Sequence, residues 1–197
     1  MSYYRTPKLN QDKKLHAYII GIALGDGNLS NQNGRAIRLR ITCDKKYPIL
    51  IKKITASLKS LLPENKISFF DRGSCIDISL YSNHWADILN WEWNKGPKDK
   101  QNIGVPKWIK EDGKFSKECL RGLLQTDGSI YKDRKYLMVN FVNTCPNLSE
   151  DVFKIIKSLG YKPNIQKFIQ KNGKIKHTVR LSRDSQKFIK EINFWKK

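Results

Sequence analysis

Asp26 and Asp127 are the residues whose type and spacing point most directly to chemistry. Each closes an apolar run and precedes a glycine, in AYIIGIALGDGNLS (17–30) and ECLRGLLQTDGSIY (118–131), and they stand 101 positions apart. If both runs are helices, each carboxylate sits at a C-terminus, facing the negative end of the helix dipole, where it gains from a cation beside it. Two such carboxylates brought together make an oxygen site for a divalent ion, since Mg2+ takes one or two carboxylates and fills its shell with water and phosphate oxygens. Taken singly, either Asp-Gly reads better as a helix stop with glycine in a left-handed cap. Pairing, glycine spacing and the charge of the chain together favour the metal.

The helices must then meet. Gly21 and Gly25 lie four apart in the first run, and Gly122 and Thr126 hold the corresponding places in the second. An interior glycine costs a helix about 1 kcal/mol against alanine. Four-residue spacing puts both small residues on one face, and such faces let two helix backbones approach closely. In one helix a tolerated glycine would suffice; at matching places in both, mutual contact is the better account. The likeness continues downstream: Ile41-Thr42-Cys43 with Asn143-Thr144-Cys145, Ile78-Ser79-Leu80 with Val179-Arg180-Leu181, and Trp93-Asn94-Lys95 with Trp195-Lys196-Lys197. The chain reads as one unit of about a hundred residues written twice, too long and too few-copied for a solenoid.

Each copy predicts the order α-β-β-α-β-β-α. In the first, a helix over 12–26 is followed by alternation of Ile37, Leu39 and Ile41 with Arg38, Arg40 and Thr42, the pattern of a half-buried strand. Helical spacing over 48–62 stops at Pro63; strands 66–71 and 75–81 flank the turn 72–74, and a last helix covers 83–93. The second copy repeats this with helix 115–127, strands 130–132 and 136–144, helix 149–159, strands 165–170 and 175–182, and helix 184–194. The fold class is α+β, with an N-terminal unit over 1–94, a Gly/Pro/Lys-rich linker over 95–114 and a C-terminal unit over 115–197.

Bulk composition narrows the partners. Thirty-eight Lys and Arg against 18 Asp and Glu leave a net charge of +20, an excess that a polyanion, most commonly nucleic acid, neutralises. The four cysteines, 43, 75, 119 and 145, form no C-x-x-C pair, so reduced, buried thiols are expected rather than a zinc site or a disulfide framework. The longest apolar stretch, Ala17 to Leu24, is too short to span a bilayer. MSYYRTPKLNQDKK carries no apolar signal region. An intracellular, non-secreted protein is expected; organellar, bacterial and phage settings all fit.

IIGIALGDG (19–27) and LRGLLQTDG (120–128) resemble the two nonapeptide motifs of the LAGLIDADG homing endonuclease family, with glycine third and Asp-Gly last in each. VPKWI (105–109) and the order of elements resemble that family too, over about residues 15–195. The resemblance implies a pseudo-two-fold, single-chain monomer whose two antiparallel sheets form a saddle on double-stranded DNA. It further implies that Asp26 and Asp127, with Gly25 and Thr126 beside them, hold Mg2+ or Mn2+ at the scissile phosphates. A basic residue near the metal in each half is also implied. Lys98 and Lys100 are the candidates in the first half, Lys100 preferred; the second copy ends at Lys196-Lys197, short of an equivalent.

Strand alternation assigns the DNA face independently. With Ile37, Leu39 and Ile41 inside, Arg38, Arg40 and Thr42 face out. Ile76, Ile78 and Leu80 inside leave Asp77, Ser79 and Tyr81 out, and Val179 and Leu181 leave Thr178 and Arg180. Arginine reads guanine bidentately in a major groove, and shorter polar side chains add hydrogen bonds. Asn28, Ser30, Arg35, Arg72, Ser129, Tyr131, Lys132, Asn140, Gln166, Gln170 and Lys176 complete the candidate contacts. The activity expected is site-specific cleavage of both strands in intron homing. The alternatives are an RNA maturase, with intron RNA as partner, and a non-catalytic DNA-binding regulator of the same fold.

Overall fold

The computed structural model of this protein describes residues 8–31 and 34–196. Lys197, part of the internal match, lies outside the described residues. Asp12 starts α1 (Lys13–Asp26), its carboxylate accepting from the Lys14 amide at 2.9 Å, and Asp112 starts α5 (Gly113–Asp127) in the same way, at 2.7 Å from the Lys114 amide. Every residue from Ala17 to Leu24 is buried. A helix apolar on all sides belongs inside a core, and here it is enclosed by α5 and by the sheet of its own unit. Among the described residues no helix is long and apolar enough to cross a membrane.

Both central helices run straight into a strand. Gly27 and Gly128 are extended (φ −77° and −88°) and not left-handed, and each begins a strand, β1 (Gly27–Ser30) and β5 (Gly128–Asp133). Glycine is needed there for space: a Cβ at Gly27 would overlap the Ala23 carbonyl, and one at Gly128 the Leu124 carbonyl.

The first unit continues with β2 (Arg38–Asp44), α2 (Pro48–Leu61), β3 (Ile67–Asp71), β4 (Cys75–Tyr81) and α3 (Trp85–Ile88). After α4 (Lys107–Lys110) and α5, the second has β5, β6 (Tyr136–Asn143), α6 (Pro146–Ser158), β7 (Asn164–Ile169), β8 (Ile175–Leu181) and α7 (Ser185–Ile192). The two antiparallel sheets share one topology, β1-β2-β4-β3 and β5-β6-β8-β7. Leu39, Ile41, Ile78 and Leu80 in one, and Val139, Phe141, Val179 and Leu181 in the other, are buried.

Three sequence expectations change. The helix expected over 83–93 is a single turn, Trp85–Ile88. Leu89 is extended (φ −101°, ψ 134°), and Leu89 and Trp91 are both buried while Asn90 points out to the Gly104 carbonyl at 2.8 Å. Burying residues two apart requires a strand-like backbone. The 95–114 segment is not a free connector: Ile103, Val105 and Ile109 are core residues, and the Asp151 carboxylate on α6 accepts from the Val105 amide at 2.8 Å and from Lys110 Nζ at 2.9 Å. Finally, sheet register sets Ile41 against Phe141, since Gly27 pairs with the former and Gly128 with the latter, so the Thr-Cys match was two residues out of register. All four cysteines are free thiols; Cys43, Cys119 and Cys145 are buried and Cys75 half-buried.

Candidate active site and nucleic-acid interface

Gly21, Gly25, Gly122 and Thr126 lie where α1 and α5 touch. A Cβ at Gly21 would overlap the Cys119 carbonyl, one at Gly25 the Thr126 hydroxyl, and one at Gly122 would stand 2.5 Å from the Tyr18 carbonyl oxygen. Across the same seam the Tyr18 hydroxyl donates to Gln125 Oε1 at 2.8 Å. Close packing from end to end brings Asp26 and Asp127 together at one end of the pair.

Those two carboxylates are electrostatically uncomfortable. Burial first, and then the charge of Asp127, push the Asp26 carboxyl from 3.8 up to about 6, against the pull of Lys196 and Lys98. Burial also raises Asp127, opposed by a hydrogen bond from Asn143 Nδ2 at 2.6 Å and by the same two lysines. Lys98 Nζ donates to the carbonyls of Ala23, Leu24 and Gly25 at 3.1, 2.7 and 2.6 Å, and Lys196 Nζ to the Thr126 carbonyl at 2.6 Å. An ammonium on the last carbonyls of a helix satisfies acceptors that have no intrahelical partner and complements the dipole. Burial pulls both ammonium groups below the usual lysine range even though Asp26 and Asp127 oppose it.

This placement separates the two first-half candidates: Lys98 reaches the helix end, whereas Lys100, the preferred one, is exposed beside Trp93 and Gln101 in a surface depression. It also supplies the partner that the second half was expected to lack: Lys196 stands to α5 as Lys98 stands to α1. Gly25 and Thr126, expected beside the metal, have their carbonyls accepting from Lys98 and Lys196 respectively. Asn143, whose residue order shows only a place in the internal repeat, also belongs to the site through its bond to Asp127.

The donor set fits a hard divalent cation. It is two carboxylates without sulfur or imidazole, the kind of set that suits Mg2+ or Mn2+. Their mutual repulsion is relieved by added positive charge. Among the described residues no group of three or more His, Cys, Asp or Glu could hold a metal ion, so water and phosphate oxygens would have to complete the shell.

On the first sheet, Arg38, Arg40, Thr42, Ser79 and Tyr81 share the face away from the helices with Asn28 and Ser30, as the pairings Asn28–Arg40–Ser79 and Ser30–Arg38–Tyr81 require. Arg38 Nε donates to Ser30 Oγ at 3.1 Å. Arg35 and Arg72 are exposed in adjoining loops. Asp77, expected to be exposed, is only 2% accessible. It lies beneath its neighbours on that face, accepting from Thr42 Oγ1 at 2.7 Å and Arg72 Nε at 2.6 Å, so it cannot itself contact DNA.

On the second sheet, Ser129, Tyr131, Asn140, Gln166, Lys176 and Arg180 share the corresponding face. Asn140 is oriented at both ends, Nδ2 donating to Tyr131 Oη at 3.2 Å and Oδ1 accepting from Arg180 Nε at 3.3 Å. Thr178 is on this face but buried by the residues around it, contrary to expectation. Lys132 is one residue out of phase and projects with Ile130 to the opposite face. Gln170 closes the β7–β8 turn through its backbone, accepting from the Gly173 amide and donating to the Lys174 carbonyl.

A sequence model of the family described as "LAGLIDADG-like domain" matches residues 114–193. The replication factor C small subunit of Methanocaldococcus jannaschii is 24% identical over 188 residues, which are 90% of this chain and 10% of that protein. The chain thus spans about a tenth of that relative's length. Among solved structures, a variant of the homing endonuclease I-DmoI in complex with its target DNA and manganese aligns with TM-score 0.65 at 20% identity, over 90% of this chain and 92% of that one. Full-length DUF199/WhiA from Thermatoga maritima aligns with TM-score 0.66 at 11% identity, over 95% and 58%. The N-terminal LAGLIDADG domain of DUF199/WhiA aligns with TM-score 0.62 at 12% identity, over 96% and 85%. At these identities the likeness is one of fold.

Proposed function

From a chain that belongs to the LAGLIDADG family, matching its domain model over 114–193 and sharing its fold over some nine-tenths of its length, we propose a site-specific endonuclease that hydrolyses both strands of double-stranded DNA with a divalent metal. The observation that carries this reading is the meeting of Asp26 and Asp127 at the ends of two close-packed helices, flanked by Lys98 and Lys196. The I-DmoI structure in complex with its target DNA and manganese adds support through its fold.

In this reading Asp26 and Asp127 would hold the metal, Mg2+ or Mn2+. When bound, such an ion supplies Lewis acidity, ionising water and stabilising charge on the leaving oxygen. Lys98 and Lys196 keep positive charge beside the two carboxylates and are placed to offset phosphate charge. The outer face of each sheet binds the duplex, its arginines and amides reading bases and its exposed lysines meeting phosphates.

The test is incubation of the protein with a randomised duplex library and Mg2+, followed by sequencing of the cut ends. Recovery of one recurrent site cut on both strands is the expected result. A second reading, sequence-specific binding without cutting, draws on the same geometry, because two ammonium groups already balance the two carboxylates. Duplexes retained by the protein yet uncut in Mg2+ and in Mn2+ would select it.

A further inference from the structure

Asp77 is a buried carboxylate on the nucleic-acid face of a protein that carries a net charge of +20. A negative charge there opposes a polyanion, so it calls for a compensating role. Its surroundings supply one. Oδ1 accepts from Thr42 Oγ1 at 2.7 Å, Oδ2 accepts from Arg72 Nε at 2.6 Å, and Arg40 Nε stands 3.9 Å from Oδ2. The Arg72 guanidinium also lies over the exposed Phe70 ring, 5.6 Å from its centroid, so it is held between a carboxylate and an aromatic face. Arg40 Nε is buried and makes no hydrogen bond, which leaves the ion pair with Asp77 as its restraint on that side. Burial pushes the Asp77 carboxyl up, but the Thr42 hydroxyl and the two arginines outweigh it and hold the group below the ordinary carboxylate range. Asp77 therefore stays ionised wherever the protein would meet DNA.

Arg72 is engaged by an Nε hydrogen bond and Arg40 by an ion pair on its Nε side, which leaves the terminal nitrogens of each for a bidentate contact. That fork matches the O6/N7 edge of guanine. The second sheet has no such device. Asp77 pairs with Thr42 and Phe70, whereas the residue at its position, Thr178, pairs with Val142 and Gln166. Arg40 is matched there by Asn140, which its own neighbours already orient.

We propose that Asp77 is a positioning residue for base recognition, holding Arg40 and Arg72 so that the half-site under the first sheet demands guanine while the half-site under the second does not depend on it in this way. This rests on the DNA-binding reading above and deepens it by naming a specificity determinant.

The experiment selects bound duplexes from a randomised library in Ca2+, for the wild type, Arg40→Ala, Asp77→Asn and Thr42→Val. Arg40→Ala identifies which half-site lies under the first sheet. In Asp77→Asn, guanine preference at one or two positions of that half falls about tenfold, within the range a bidentate contact confers. Preferences in the other half stay unchanged, and affinity for a scrambled duplex rises because a negative charge is gone. A purely structural role would lower discrimination in both halves and scrambled-duplex affinity together, and that outcome overturns the proposal. So does an unchanged guanine preference in Asp77→Asn at a wild-type melting temperature. Should Asp77→Asn not fold, Thr42→Val decides: it keeps the carboxylate and the shape, and must weaken the same positions by a smaller factor. A wild type that binds no duplex overturns the DNA reading itself, whereas a selective wild type with an unaffected Asp77→Asn overturns only the role of Asp77.

Discussion

Replacing Asp26 by asparagine removes one of two crowded carboxylates without changing side-chain size. The rise of its carboxyl from 3.8 to about 6 corresponds to about 3 kcal/mol of penalty on the ionised form at 1.36 kcal/mol per unit. Asp26 is exposed to solvent at the end of its helix, which screens such interactions, so about 1 kcal/mol is the realistic share. The sign follows from linkage. The folded state binds this proton more tightly than the unfolded chain, so stability falls as pH rises from about 4 to about 6 and the deficit persists above. Asp26→Asn should therefore match the wild type near pH 4 and exceed it by about 1 kcal/mol at pH 7.5, or about 2–4 °C in melting temperature for a chain of this size. The attractions from Lys98 and Lys196 that the variant gives up are already included in the net shift. The same variant should bind DNA at least as tightly and fail to linearise a supercoiled plasmid carrying the target in Mg2+, leaving slow nicking at most. Thermal melts without metal across pH 4–8 and gel analysis of the plasmid check both halves. A variant less stable than wild type at pH 7.5 would refute the electrostatic reasoning, and full linearisation would refute the metal role.

Lys98→Met should destabilise the protein by about 1–3 kcal/mol in urea unfolding, because the Leu24 and Gly25 carbonyls lose their ammonium donor while Ala23 keeps the Gly27 amide, whereas Lys100→Ala should stay within about 0.5 kcal/mol. In cleavage assays Lys98→Met and Lys196→Met should slow cutting far more than Lys100→Ala does; equal effects at all three would refute the assignment. Gly122→Ala should cost about 1–3 kcal/mol or more, since the new methyl meets the Tyr18 carbonyl and the Ile22 amide and one backbone must shift; an unchanged denaturation midpoint would mean the helices are not packed backbone to backbone. Arg38→Ala should relax the base requirement at one position of the target. Lys174→Ala, at an exposed turn, should weaken all sequences alike and lower the slope of log affinity against log salt by about 0.9, a contrast that competition binding at several salt concentrations reads directly.

Much of this molecule is legible in its residue order because the relevant physics is local or periodic. The Asp-Gly that ends each motif helix, the four-residue spacing of Gly21 and Gly25, and the alternation of Leu39 and Ile41 with Arg38 and Arg40 each identify an element and a face, and their recurrence about a hundred residues later identifies two units. Residue order was silent where a side chain's meaning depends on partners distant in the chain. Lys98 and Lys100 are indistinguishable as letters; only the path of the 95–114 segment, tied down through Asp151, carries one to the α1 carbonyls and leaves the other in solvent. Lys196, where the second copy ends, has no meaning as a letter; the path of the chain after α7 carries it to the end of α5. Alternation put Asp77 on the outer face correctly, but whether an outward side chain meets water is decided by its neighbours, and two arginines and a threonine cover it. A pattern along one strand determines direction, while burial and charge at a point are sums over everything that packs there, which only the tertiary structure supplies.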